Sequence, residues 1–267
     1  MEHMSYVTQK IDTPLYPELI WNKPENKAHA GKLLIIGGNI HGITAPSTAY
    51  SLASKAGAGE VRVVLPDSCK KYFPHGTAPS DILFAKSTPS GSFGAESMSA
   101  LLEYAAWADF VVIVGDISKN SETAIAITEI IQKTVTPLCL TGDAIDAMLM
   151  ESHKMIQRPN TVLVPSFTQL QKILIHAKWS RALTATMPFK AHVEALEAYG
   201  SEYEAAILYA HDNACYVAYA GDVSVTSPIK VENNWELRAA ITASVWAMQQ
   251  PQSLIKALTT SATQISH

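Results

Sequence analysis

The residues best suited to chemistry follow the first strand-like run of the chain. Lys32-Leu33-Leu34-Ile35-Ile36 ends in Gly37-Gly38, and Asn39, His41, Gly42, Thr44 and Ala45 lead from there into a helical stretch. Glycine permits a sharp turn and a close approach of backbone N–H groups to a ligand, and the start of a helix favours negative charge. The loop is therefore a candidate anion cradle, and equally well a plain tight βα turn. Its spacing is neither the G-x-G-x-x-G dinucleotide fingerprint nor a P-loop. Asp143 follows another strand-like run, where open α/β sheets place ligand groups; it equally suits the N-cap of the next helix. His29, His41 and His75 lie in loops near the first strands, and His41 falls inside the glycine loop. A neutral imidazole exchanges protons near pH 7, yet lone histidines of this kind are most often solvated. No catalytic residue and no metal-ligand set is assigned from the sequence.

The elements that must position these residues alternate between strand and helix. Residues 47–56 read as an Ala- and Ser-rich helix stopped by Gly57-Ala58-Gly59, and residues 60–65 as the next strand, joined by a right-handed crossover. Further helices are expected at 98–107, 121–133 with Ser121 as N-cap, 146–152, 169–178, 192–200 and 235–249, the last followed by a short helical tail. Strands are expected at 110–114, 137–140 and 161–164. Three short strands at 206–209, 214–219 and 222–225, separated by His211-Asp212-Asn213 and Ala220-Gly221, read as an antiparallel meander on the sheet edge. Pro14, Pro17 and Pro24 mark residues 1–25 as an N-terminal arm that wraps the surface or reaches a neighbouring subunit, and residues 26–267 read as one α/β domain. Such an arm is compatible with a homo-oligomer.

Composition narrows the class. With 48% hydrophobic and 16% charged residues, the 267-residue chain can build a large core. A net charge of −4 and the absence of a long basic run argue against nucleic acid as a partner. Nothing approaches the roughly 20 uninterrupted apolar residues of a membrane helix, and the first 20 residues carry no apolar leader core. Cys69, Cys139 and Cys215 are widely spaced and odd in number, as suits structural thiols in a reducing compartment. A cytoplasmic protein is expected. The five tryptophans, Trp21, Trp107, Trp179, Trp235 and Trp246, read as core or interface anchors; Trp235 stands apart because a ring at that position could fill a ligand pocket.

The stretch 26–64, with Lys27, Gly31, Leu34-Ile35-Ile36-Gly37-Gly38, Ala45 and Gly57-Ala58-Gly59, resembles the start of the ADP-dependent NAD(P)H-hydrate dehydratases. That family lies in the ribokinase-like superfamily. Ala108-Asp109-Phe110-Val111-Val112-Ile113-Val114-Gly115 resembles the strand before the family's Gly-Pro-Gly-Leu-Gly loop. Thr141-Gly142-Asp143-Ala144-Ile145 resembles its Asp-Ala-Asp-Ala-Leu segment, and Val162-Leu163-Val164-Pro165 the strand before Thr-Pro-His-Pro-Gly-Glu. The resemblance implies a three-layer α/β/α ribokinase-like fold with a mainly parallel sheet and a small antiparallel edge. It implies removal of water from hydrated NADH or NADPH at the expense of ADP or ATP, with Mg2+ and a small-molecule nucleotide as partner. Relatives that assemble also lead to the expectation of a homo-oligomer. Gly38, Asn39, Thr44, Ala45, Gly115 and Asp143 would line the substrate side, and Asn233 and Asn234 the nucleotide side.

The chain also departs from the family pattern. Asp116-Ile117-Ser118-Lys119 follows Gly115 in place of the glycines, and Ser166-Phe167-Thr168-Gln169 follows Pro165 without the His and Glu. His211-Asp212-Asn213 stands where the family has a Lys-Gly that reaches the nucleotide. The Gly-Gly-Ser-Gly-Asp anion hole, whose Asp exchanges the proton, appears as Val231-Glu232-Asn233-Asn234-Trp235. Glu232 or Glu236 could supply a displaced carboxylate, and asparagine tolerates the positive φ that such a turn demands. Three readings stay open from sequence: a divergent dehydratase, a non-catalytic nucleotide-binding or structural homologue, and a small-molecule kinase of the same superfamily.

Overall fold

The computed structural model describes residues 6–73, 78–118 and 120–265. His75 and Lys119 lie outside the described residues. Apolar, β-branched runs form the strands β1 (Tyr6–Gln9), β2 (Lys32–Ile36), β3 (Glu60–Pro66), β4 (Ile82–Ala85), β5 (Phe110–Ile113), β6 (Leu138–Thr141) and β7 (Thr161–Val164). The meander supplies β8 (Ala206–His211), β9 (Ala214–Tyr219) and β10 (Asp222–Thr226). Together they make one sheet in the order β1-β10-β9-β8-β7-β6-β5-β2-β3-β4. Every neighbouring pair from β8 to β4 is parallel, β8-β9 and β9-β10 are antiparallel, and β1 runs parallel to β10 at the outer edge.

Helices cover both faces. The first face carries α2 (Thr44–Ala56), α9 (Trp235–Gln249) and α10 (Leu254–Ala262), with the short α1 (Pro17–Trp21) packed on α10. The opposite face carries α3 (Met98–Trp107), α4 (Ser121–Lys133), α5 (Asp143–Ala147), α6 (Ser152–Ile156), α7 (Phe167–His176) and α8 (Phe189–Glu202). Because side chains alternate along a strand, β2 feeds two cores at once. Leu33 and Ile35 join the cluster under α2 and α9, while Leu34 and Ile36 join the cluster under α3 to α8, and all four are fully buried. This is the three-layer α/β/α arrangement expected from sequence.

The opening segment departs from the expectation of a surface arm at its first strand. β1 pairs with β10 in the register Tyr6↔Val223 to Gln9↔Thr226. Buried Gln9 fastens it by donating to the Thr226 hydroxyl at 2.8 Å and to the Thr259 carbonyl. Two further local expectations change. Ser121 is the first residue of α4 and not its cap; the Asn120 carboxamide accepts from Thr123 N at 2.7 Å. The helix expected at 146–152 begins at Asp143 and breaks into α5, a 3-10 turn and α6. β4 was not expected. The three cysteines are buried and free, and burial pushes the Cys139 thiol up to about 12. No described helix is long and apolar enough to cross a membrane.

Candidate functional site

The chain runs outward from β2 to β3 and β4, then returns to the other side of β2 as β5. That reversal is a topological switch point, and ligands of open α/β sheets sit at the carboxyl ends of the strands flanking such a point. The loops there are 37–45 after β2 and 114–118 after β5. The register Ile36↔Ile113, Ile113↔Leu140 and Thr141↔Val164 sets Gly37, Val114-Gly115, Gly142 and Pro165 side by side along that edge.

The structure brings Gly38, Asn39, Ala45, Gly115 and Asp143 together, with Thr44 exposed at the first position of α2. A side chain built at Gly115 would meet Ala45 Cβ and the Asp143 carboxylate, each at 3.8 Å. Asp143 is the first residue of α5; Gly142, at φ 58°, takes the N-cap position that the sequence offered to Asp143. Gly38 requires its positive φ of 88° and sits against Leu65 and Ile43. His41 and His29 are both exposed, and the His41 amide donates to the Asn39 carboxamide at 2.7 Å.

The amides of the glycine loop are engaged within the protein. Gly37 N donates to Val64 O, Gly38 N to Gly115 O, Asn39 N to Gly42 O, Ile40 N to Gly91 O and Gly42 N to Asn39 O, over 2.8–3.4 Å. The start of α2 is satisfied by a carboxylate from the facing loop: Ala45 N donates to Asp116 Oδ2 at 2.7 Å. Ile43, the N-cap residue of α2, contributes no side-chain bond. The Asn39 carboxamide donates to Asp116 O at 2.6 Å, so the two loops are stitched across the switch point. Asp116 holds a left-handed φ of 60°. Sequence reasoning registered position 116 as a lost glycine and missed the carboxylate gained.

Further along the edge, Gln169 stands where the family pattern has Glu. It completes a capping box with Ser166 at the start of α7, and its Nε2 reaches Gly142 O and Asp146 Oδ1, each at 3.1 Å. His211 stacks on Phe167 with centroids 4.0 Å apart and planes 14° apart. Behind them lies buried His192, hydrogen-bonded to the Tyr209 hydroxyl. Burial, and then the charge of His211, push the His192 pKa down to about 4.

At the start of α9, Asn233 and Asn234 are exposed. Asn234 takes a left-handed φ of 63° as N-cap and makes no side-chain capping bond. Trp235 is only 2% exposed and belongs to the buried cluster that holds Leu208, Cys215 and Ile229. Its Nε1 is buried with no hydrogen-bond partner. Glu232 lies 3.4 Å from the Arg238 guanidinium. Among the described residues no group of three or more His, Cys, Asp or Glu is placed to hold a metal ion.

This architecture is the ribokinase-like fold. The chain is similar to a ribokinase-like superfamily protein from Enterococcus faecalis, 13% identical, with a TM-score of 0.72 over 100% of this chain and 88% of that one. It is also similar to the ADP/ATP-dependent NAD(P)H-hydrate dehydratase of Bacillus subtilis, 11% identical, with a TM-score of 0.60 over 95% of this chain and 87% of that one. At these identities the likeness shows the fold. No protein-family model matches the chain.

Sequence likeness runs to two enzymes named bifunctional NAD(P)H-hydrate repair enzyme Nnr. The one from Moorella thermoacetica is 24% identical over 185 residues, 68% of this chain and 33% of that protein. The one from Methanothermobacter thermautotrophicus is 27% identical over 158 residues, 57% of this chain and 30% of that protein. The chain thus spans about a third of the length of the curated relatives it matches. Over those spans the chain is similar to the NAD(P)H-hydrate repair enzymes, in keeping with the resemblance drawn from its own residues.

Proposed function

We propose that this chain is a non-catalytic, nucleotide-binding homologue of the NAD(P)H-hydrate dehydratases, one that keeps the scaffold and has lost ADP-coupled dehydration. The observation that carries this reading is Trp235, buried in the first turn of α9 at the position where the family pattern has its acid/base Asp. An indole cannot exchange the proton, and preorganised charge supplies much of the rate in phosphoryl transfer.

The implied cofactors divide on the residues present. A nucleotide phosphate fits the start of α9, where Asn233 and Asn234 face solvent and the Asn234 side chain makes no capping bond, although Trp235 N donates to Glu232 O. Magnesium does not fit: the described residues offer it no ligand cluster, and Glu232 is committed to Arg238.

The test is to incubate the purified protein with hydrated NADH, ADP or ATP, and magnesium while following NADH absorbance. No turnover above the protein-free control is expected. In parallel, ADP, ATP, AMP and NADH are screened for a rise in melting temperature, which preferential binding to the native state produces. A rise without turnover supports the proposal. Turnover rejects its first half, and a flat thermal response rejects the second.

A further inference from the structure

We propose that Asp116 is a specificity-determining residue: its carboxylate occupies the anion position at the start of α2 and excludes phosphate from the switch-point crevice. Asp116 acts in the crevice between β2 and β5, whether or not the start of α9 holds a nucleotide and whether or not the chain turns over any substrate.

The start of a helix of 13 residues presents unpaired N–H groups and a partial positive charge, which an anion satisfies best. In this chain the anion comes from within. Asp116 Oδ2 accepts from Ala45 N at 2.7 Å, a distance typical of a charge-assisted bond. The loop that delivers it is fixed by Asn39 Nδ2 to Asp116 O at 2.6 Å and by Gly38 N to Gly115 O at 3.3 Å. Asp116 also reaches toward the glycine loop itself, since a side chain at Gly42 would lie 4.0 Å from Asp116 Oδ2. A second carboxylate, Asp143, borders the same space beside Gly115 and Ala45. An incoming phosphate would have to displace the Asp116 carboxylate from its donor, against like-charge repulsion. The left-handed φ of Asp116 shows that the backbone accommodates this placement in a conformation that glycine adopts without cost. A ligand part seated in this crevice is consequently neutral or cationic.

The experiment reads the site directly. Inorganic phosphate is titrated into isotope-labelled protein while the Ala45 amide resonance is followed, so that binding elsewhere, including at α9, does not register. The wild-type Ala45 amide is expected to stay in place at phosphate concentrations that shift it saturably in Asp116→Gly, with an apparent affinity at least about tenfold higher in the variant. Asp116→Asn keeps an acceptor of the same size without the charge, and its Ala45 amide is expected to respond between those two. A wild-type Ala45 amide that responds as strongly as that of either variant overturns the proposal. A folded Asp116→Gly whose Ala45 amide ignores phosphate overturns it too. Should the glycine variant fail to fold, the asparagine variant decides, and a response equal to wild type then counts against the inference.

Discussion

His192 shows how one buried side chain ties stability to pH. It is 2% exposed on α8, stacks on Tyr216 at 4.7 Å and faces His211 at 5.5 Å. Burial first, and the charge of His211 second, lower its pKa from 6.5 to about 4. The unfolded chain therefore binds the proton more readily than the folded one. The stability contribution is complete above pH 6.5 and is lost as the pH falls through the window from 6.5 to 4, by an amount on the order of 2 kcal/mol. Urea unfolding at pH 7 and pH 4.5 measures the loss. His192→Gln, which keeps a hydrogen-bonding partner for Tyr209 but does not titrate, should lose less between the two pH values; an equal loss would show that His192 is not the titrating group. Gly59 makes the complementary steric point. The sequence marks Gly57-Ala58-Gly59 as a helix stop, and Gly57 does end α2 at φ 91°. Gly59 has a separate role that the sequence does not display: a Cβ there would lie 2.2 Å from Lys27 O and 2.7 Å from Gly31 O. Gly59→Ala should cost roughly 3 kcal/mol in chemical denaturation, because backbone carbonyls must move.

At the scale of elements, the helices legible in the sequence are those whose ends are set by local chemistry. Met98–Trp107, Ser121–Lys133 and Trp235–Gln249 were expected with the bounds the structure gives them. Their apolar periodicity and their breakers lie within a few residues of each other. What failed was the cap of α4, one residue early at Asn120, and the helix after β6, which starts at Asp143 because Gly142 can take the positive φ of its cap. The key contact of the site was hidden for a different reason. Asp116 and Ala45 are 71 residues apart, and only the return of the chain from β4 to the far side of β2 brings them together. The glycine loop was thus readable as a candidate ligand loop, but not the Asp116 carboxylate that meets Ala45 N beside it. The start of α9 offers a test of cap strain. Asn234 at φ 63° is a left-handed residue with no side-chain bond to offset its conformation. Asn234→Gly should be neutral or stabilising within about 0.5 kcal/mol, whereas Asn234→Ala should cost about 1 kcal/mol. Thermal unfolding of the two variants checks the order. An alanine variant as stable as the glycine variant would mean that the turn relaxes when substituted.

Over the whole molecule, the sheet was legible from β2 to β10 except at β4, which is mostly half-buried, because the other strands carry buried runs; the strand beyond β10 was not legible either. Tyr6–Gln9 is short, its central residues are exposed, and the prolines that follow signal an irregular segment. Nothing local announces that its partner is β10, more than two hundred residues away. The consequences of that pairing are global. β1 covers the edge of β10, and the Gln9 side chain joins β1, β10 and α10 through Thr226 and Thr259 while accepting from Leu15 N at 3.1 Å. An uncovered strand presents a row of unpaired backbone groups, which invites pairing with another chain. Gln9→Leu keeps the strand but leaves the Thr226 hydroxyl and the Leu15 amide without their partner, and should cost about 2 kcal/mol. Deleting residues 1–11 removes the strand altogether. The truncated chain should melt at least about 5 °C lower, the shift expected for the loss of a few kcal/mol in a domain of this size, and should self-associate more at equal concentration. Calorimetry and sedimentation velocity read the two effects separately. A truncated protein with unchanged melting temperature and sedimentation would make the opening segment an appendage rather than the edge of the sheet.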